Sequence, residues 1–152
     1  MVYRLIIFLI LNFASIGLGR FLGGEGPKSE WYASMHTAPW TPSGLIVGLS
    51  WTVTLICFSI YLAYLWPLVE NRNLFIGALV LLYILAIAWN PIFFNYQQVL
   101  GGLFVIAALT AVVGFFLFYY WPKMGLKSLL VAAYFLWLLV ATSLNAYVLV
   151  KN

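Results

Sequence analysis

The sequence predicts an all-α integral membrane protein, a bundle of five transmembrane helices with one long structured loop between the first two. The chain of 152 residues is 66% hydrophobic and only 7% charged, whereas soluble domains are about half apolar and about a quarter charged. Its apolar residues also form five continuous runs, each close to the roughly 20 residues that a helix needs to cross a bilayer. Strands of a transmembrane β-barrel alternate apolar and polar residues. These runs are continuously apolar, so they do not match a β-barrel.

The five predicted spans make up one transmembrane domain over residues 1–152. The first span could instead be a secretory signal peptide, because Arg4 precedes an apolar stretch that contains small residues. Its length and the polar Asn12 within it favour a membrane span. Asn12, Ser15 and Gly19 share one helix face, which is expected of a helix that faces the bundle interior. The predicted spans cover residues 2–22, 44–66, 74–96, 99–120 and 127–149.

The connection over residues 23–43 is the one long loop. Loops of this length in compact domains are usually functional or disordered, and this one is too rich in aromatic residues to resemble a disordered segment. Gly26-Pro27 predicts the start of a short helix, since proline is favoured at the first helical position, and Pro39 predicts its end. The aromatic and histidine side chains of this loop are Trp31, Tyr32, His36 and Trp40.

The basic residues are scattered rather than gathered in a stripe, which excludes a nucleic-acid-binding protein despite the net charge of +4. With five spans, four of these residues fall on the side of the N-terminus and three on the other side. This small excess predicts a cytoplasmic N-terminus. The residues on the N-terminal side are Arg4, Arg72, Lys123 and Lys127.

The middle of every predicted span lacks charged residues. Proton relays, ion pumps and voltage sensors place charged groups there, so an ion-coupled transporter is disfavoured. One histidine and one cysteine exclude a metal site built from a cluster of those residues. We therefore predict no metal and no required cofactor.

The interior can still bind an apolar ligand, because aromatic and small residues share helix faces. Aromatic rings beside small residues form a flat-walled apolar slot with a few neutral polar groups. The alternative is that the same faces are helix-packing seams, and the two interpretations are equally supported for the tryptophans within spans. The residues in question are Trp51, Trp89, Tyr134, Trp137, Ala141 and Asn145.

Three segments carry aromatic motifs in register from Trp31 to the C-terminus. The first comprises Trp31-Tyr32, Pro39-Trp40-Thr41-Pro42 and then Trp51, and the second is Trp89-Asn90-Pro91-Ile92-Phe93-Phe94. The third is Tyr134-Phe135-Leu136-Trp137, followed by Ala141 and Asn145. Together these motifs resemble those of the translocator protein family, also called tryptophan-rich sensory proteins or peripheral-type benzodiazepine receptors.

This resemblance implies a five-helix bundle, commonly a homodimer, with a ligand cavity beneath the first loop. It implies porphyrins, haem among them, together with sterols and benzodiazepine-type drugs as ligands. The location would be a bacterial cell membrane, with an outer membrane or the mitochondrial outer membrane as the alternative. Carried over to this sequence, the ligand-binding residues would be Trp51, Trp89, Asn90, Phe93, Tyr134, Trp137, Ala141 and Asn145, and the lid would comprise Trp31, Tyr32, His36 and Trp40.

Three functions are compatible with the resemblance. The first is a receptor or sensor that binds porphyrins and similar apolar ligands. The second is a light- and oxygen-dependent porphyrin-degrading enzyme with Trp51 and Trp137 as catalytic residues, because an indole can donate an electron to an excited porphyrin without an acid or base. The third is passive transport, either of porphyrins or sterols or, as a further alternative, of lipids or metabolites unrelated to tetrapyrroles. Leu55 and Ala86 replace a Tyr and an Asn that are usual in the family, which removes two polar groups from the cavity region.

Two single residues have alternative interpretations. His36 could ligate the iron of a bound haem, but a lid residue at the membrane surface is the expected role of a lone histidine. Tyr147, with Leu144 and Lys151, fits the loose pattern proposed for cholesterol contact. The favoured interpretation is that Tyr147 and Lys151 anchor the helix end at the interface.

Overall fold

The chain folds into five long helices and two short ones, without a β-strand. The computed structural model describes residues 1–152, and 85% of the chain is helical. Each long helix is long and apolar enough to cross a membrane, which confirms the predicted fold class. The long helices are α1 (Val2–Leu22), α3 (Gly44–Leu65), α4 (Arg72–Asn90), α5 (Val99–Tyr119) and α7 (Leu129–Lys151), and the short ones are α2 (Glu30–Ala33) and α6 (Trp121–Met124).

The five long helices form a closed ring in the order α1, α3, α7, α5, α4. The polar face of α1 is turned inward as predicted, with Asn12, Ser15 and Gly19 buried. Asn12 Nδ2 donates to Ser59 Oγ of α3 at 2.7 Å. At Gly19 an added Cβ would lie 2.9 Å from the carbonyl oxygen of Ile87. The absence of a side chain at Gly19 therefore allows α1 and α4 to approach closely.

Aromatic side chains fill the half of the bundle that is remote from the first loop. Phe58, Tyr61, Phe75 and Phe116 are all fully buried there. The Tyr61 hydroxyl donates to the carbonyl oxygen of Phe116 at 2.6 Å, so this polar group is satisfied within hydrocarbon. Side chains thus fill the bundle at this end.

The third span ends differently from the predicted continuous helix over residues 74–96. It begins earlier, at Arg72, because the Asn71 side chain accepts from the Leu74 N–H at 3.0 Å and caps the helix. After Asn90 the chain makes one π-helical turn over Pro91–Asn95. Pro91 has no N–H to continue the α-helical hydrogen bonds. This wider turn carries Phe93 and Phe94 into buried positions.

The first loop contains two short elements rather than one helix running toward Pro39. Gly26-Pro27 begins only a 3₁₀ turn, Gly26–Lys28. Ser29 then caps α2 by accepting from the Tyr32 N–H at 3.2 Å. The helix ends at Ala33, where the Ser34 hydroxyl donates to the carbonyl oxygen of Trp31 and competes with continued helix formation.

The fifth span begins at Leu129 rather than Lys127 and continues to Lys151. The residues before it form α6 and a 3₁₀ turn over Gly125–Ser128. Gly125 has a φ of 52°, a backbone conformation that favours glycine, and it separates these two elements.

Candidate functional site

Beneath the first loop lies an aromatic cluster that joins this loop to the end of α4. The Trp89 and Phe93 rings stack at a centroid distance of 5.3 Å and an interplanar angle of 13°. Trp31 meets Phe93 edge-on at 5.7 Å, and Tyr32 meets Phe94 edge-on at 5.4 Å. We call Trp31, Tyr32, Trp89, Phe93 and Phe94 the upper cluster.

A buried amide connects the upper cluster to α5 and α7. Asn145 of α7 is 3% exposed. Its Oδ1 accepts from Trp89 Nε1 at 3.2 Å, and its Nδ2 donates to the carbonyl oxygen of Val99 at 3.1 Å. Three helices therefore meet at one side chain, which holds the Trp89 indole in a defined orientation.

A second aromatic cluster lies deeper in the bundle, between α3 and α7. Trp51 meets Tyr134 edge-on at 6.1 Å and Trp137 edge-on at 6.2 Å. Tyr134 is 1% exposed, whereas the two tryptophans are half-buried. We call Trp51, Tyr134 and Trp137 the lower cluster.

Two polar atoms in this region are buried without a hydrogen-bond partner: the Nε1–H of Trp137 and the hydroxyl of Tyr83 on α4. An unsatisfied donor in an apolar environment costs about 1–3 kcal/mol. A bound molecule that carries an acceptor atom would remove this cost. These atoms are the polar contacts that an apolar pocket needs in order to orient a ligand.

Two further predicted site residues occupy different positions. Ala141 lies one helical turn from both Trp137 and Asn145, so α7 places the two clusters along one face. Asn90 is buried at the end of α1. A Cβ added to Gly23 would lie only 3.1 Å from the Asn90 Cβ. The structure thus places Asn90 against the end of α1.

The other half of the predicted lid is attached to the end of α7. Trp40 Nε1 donates to Ser143 Oγ at 3.2 Å, and the Trp40 ring meets Tyr147 edge-on at 5.3 Å. The backbone N–H of His36 donates to Asn152 Oδ1 at 2.8 Å, and Asn152 Nδ2 donates back to the His36 carbonyl oxygen at 3.2 Å. The first loop is therefore fastened to α4 on one side and to α7 on the other.

Sequence reasoning missed Ser143, Tyr147 and Asn152 as partners of the loop. Ser143 and Tyr147 are four residues apart and so lie on one helix face, which is a detectable signal. Nothing in the sequence indicates that Trp40 packs on that face. Tyr147 has an aromatic partner in the loop, which neither the sterol motif nor an anchoring role predicts.

The two clusters contain no charged residue. Burial raises the pKa of Tyr32 above its ordinary value of 10.0, so its hydroxyl stays neutral. The one salt bridge lies at the opposite end of the bundle, where Lys123 Nζ is 2.6 Å from a Glu70 carboxylate oxygen. The site can therefore bind through aromatic contact, apolar burial and neutral hydrogen bonds.

Two grooves lie on the outer surface of the bundle. The groove between α3 and α7 has a volume of about 430 Å³, and Trp137 forms part of its wall. The groove between α5 and α7 has a volume of about 650 Å³ and is lined by Gly114, Phe118 and Phe135 among others. Both open toward the surface that faces the bilayer.

Comparisons with known proteins give one family. The model of the TspO/MBR family matches residues 6–150. The chain is 30% identical over 149 residues to the tryptophan-rich protein TspO of Archaeoglobus fulgidus, and the match covers 94% of each chain. It is 29% identical over 120 residues to the uncharacterized membrane protein YtaB of Bacillus subtilis, and that match covers 76% of each chain.

Proposed function

The chain belongs to the TspO/MBR family, and from this premise we propose that it is a receptor or sensor that binds porphyrins, haem included, and similar apolar ligands such as sterols or benzodiazepine-type drugs. It is an integral multi-pass membrane protein. The observation that carries the proposal is the pair of aromatic clusters along one face of α7, with an unpartnered indole N–H at Trp137.

The chemistry of the site fits a flat, mostly apolar ligand. Aromatic pairs prefer edge-to-face or offset-stacked geometry, and a planar macrocycle can adopt either against Trp51 and Trp137. Burial of apolar surface contributes about 25 cal/mol per Å². An acceptor atom of the ligand would accept a hydrogen bond from the Trp137 Nε1–H. Ala141, one turn from Trp137, adds only a methyl group to this face of α7.

Protoporphyrin titration into the purified protein in nanodiscs tests the proposal. We expect saturable quenching of tryptophan fluorescence and a shift of the porphyrin absorption band. Trp137→Phe keeps an aromatic ring but removes the N–H donor, so the dissociation constant should rise by about threefold to tenfold, as expected for one lost hydrogen bond.

Trp121→Phe is the matched control, because Trp121 is an exposed residue at the opposite end of the bundle. This variant should bind protoporphyrin as the wild type does. Absence of quenching in the wild-type protein at micromolar protoporphyrin would refute the proposed function.

A second candidate function is light-dependent porphyrin degradation with oxygen as the oxidant. The contact between Trp51 and Trp137 favours this function. When one indole donates an electron it becomes a radical cation, and the adjacent indole and Tyr134 can share that unpaired electron. Illumination would then bleach the bound porphyrin to a defined product, and Trp51→Phe or Trp137→Phe would abolish that product. Bleaching to the same product in both variants at the rate of the wild type would exclude this activity.

We further propose a bacterial cell membrane as the location and a homodimer as the assembly. Gly77 on α4 has no neighbouring atom within 4 Å of an added Cβ, so its face is open to a second copy. Gly77→Leu should shift the protein from dimer to monomer in light-scattering measurements. A monomeric wild-type protein would contradict this assignment.

A further inference from the structure

We infer that the apolar ligand reaches the lower cluster from the bilayer, through the groove between α3 and α7, while the first loop stays fastened. This inference rests on the proposed function and adds the route to the site. The alternative is entry from the aqueous side beneath an opened loop.

The groove has the position and lining of a lateral entrance. It lies between two membrane-spanning helices and has a volume of about 430 Å³. Six of its eight lining residues are hydrophobic. Val53 and Val140 are 54% and 37% exposed, so their side chains face the lipid that would carry a dissolved apolar molecule.

Trp137 connects this groove to the interior. It lines the groove, and its ring also meets Trp51 of the lower cluster edge-on. Its Nε1–H is buried and has no partner. In hydrocarbon such a donor lacks water as a substitute partner. A planar ligand with a nitrogen or oxygen acceptor that moved inward along Trp137 would therefore gain a hydrogen bond as it left the lipid.

The aqueous side is closed by several independent contacts. Trp31 and Tyr32 pack against the π-helical turn of α4. Trp40 is held by Ser143, and His36 by two hydrogen bonds with Asn152. Entry beneath the loop would break contacts with two different helices at once. None of the residues that line the groove takes part in these contacts.

Two modified proteins in nanodiscs distinguish the routes. The variant Val53→Phe/Val140→Phe fills the groove without adding a tryptophan. The variant His36→Cys/Asn152→Cys, made with Cys57→Ser and closed by a short bismaleimide, holds the loop to α7. The association rate of protoporphyrin is measured by stopped-flow fluorescence. We expect about a tenfold or larger decrease for the filled groove, a barrier increase of about 1.4 kcal/mol or more. For the loop, we expect less than a twofold change between the cysteine variant before and after cross-linking.

Ile6→Phe/Ile10→Phe is the matched control, because these residues are exposed on α1 and do not line the groove. It should leave the association rate unchanged, which separates blockage from a general effect of added bulk. A rate that falls as much on cross-linking as on filling the groove overturns the inference, and so does a rate that neither change alters. If the wild-type protein binds no protoporphyrin at all, the proposed function itself fails, which is a distinct result.

Discussion

The hydrogen bond between Trp89 and Asn145 allows a quantitative test of how the upper cluster is held. Asn145→Leu keeps a side chain of similar volume but removes both hydrogen bonds of the amide. The Trp89 Nε1–H, which is partly buried, is then left without an acceptor, at a cost of up to about 1–3 kcal/mol. Hydrogen bonds between transmembrane helices are measured at about 0.6 kcal/mol on average, with a maximum near 1.7. We therefore expect Asn145→Leu to lower the free energy of unfolding by about 1–3 kcal/mol.

A double-mutant cycle isolates the pair. Trp89→Phe removes the N–H donor, so the added effect of Asn145→Leu in that background should be smaller than in the wild type. The expected coupling energy is about 1 kcal/mol, measured by equilibrium unfolding in mixed micelles with SDS and followed by circular dichroism. Additivity within about 0.5 kcal/mol would refute the reasoning, because independent sites add to that accuracy.

Three further predictions follow from other contacts. Gly19→Ala forces a Cβ against the Ile87 carbonyl oxygen and should destabilise the protein by about 1–3 kcal/mol in the same unfolding assay; unchanged stability would contradict the close approach of α1 and α4. Asn152→Ala removes the attachment of the loop to α7 and should speed proteolysis within residues 23–43, whereas an unchanged cleavage rate would show that the aromatic contacts suffice. The hydrogen bond and charge of Lys123 lower the pKa of Glu70 below its ordinary value of 4.5, so the carboxylate stabilises the fold above about pH 4.5 and loses this effect as the pH falls through the lowered pKa. The stability difference between wild type and Glu70→Gln should therefore be small, favour the wild type at neutral pH and disappear in acid; a difference independent of pH would exclude the ion pair as its cause.

Much of the fold was predictable from local chemistry. Continuous apolar runs define spans because backbone polar groups in lipid must be satisfied within the helix, and the inward face of α1 followed from the spacing of Asn12, Ser15 and Gly19. The family resemblance, based on motifs around Trp31, Trp89 and Trp137, was confirmed by the match over residues 6–150. The early end of α2 was missed because it depends on a side-chain hydrogen bond of Ser34.

The candidate site was predictable only as a set of residues. The helical period places four residues on one face of α7, but it does not predict which other helices contact that face. These residues are Tyr134, Trp137, Ala141 and Asn145. The structure divides these residues between a lower cluster with Trp51 and an upper cluster with Trp89. It also places Asn90 against Gly23 at the end of α1, a contact that the helical period does not predict.

By itself, the sequence determined that lipid surrounds this protein, that it has five spans, which family it belongs to and that its interior is uncharged. These properties depend on residue type and on spacing along a single helix. Only the tertiary structure decided which aromatic rings touch, which donors stay unpartnered, how the loop is fastened at Asn152, and that a groove beside Trp137 opens to the bilayer. Those properties depend on the order in which helices pack around the ring, since contacts between distant residues arise from packing geometry and not from periodicity.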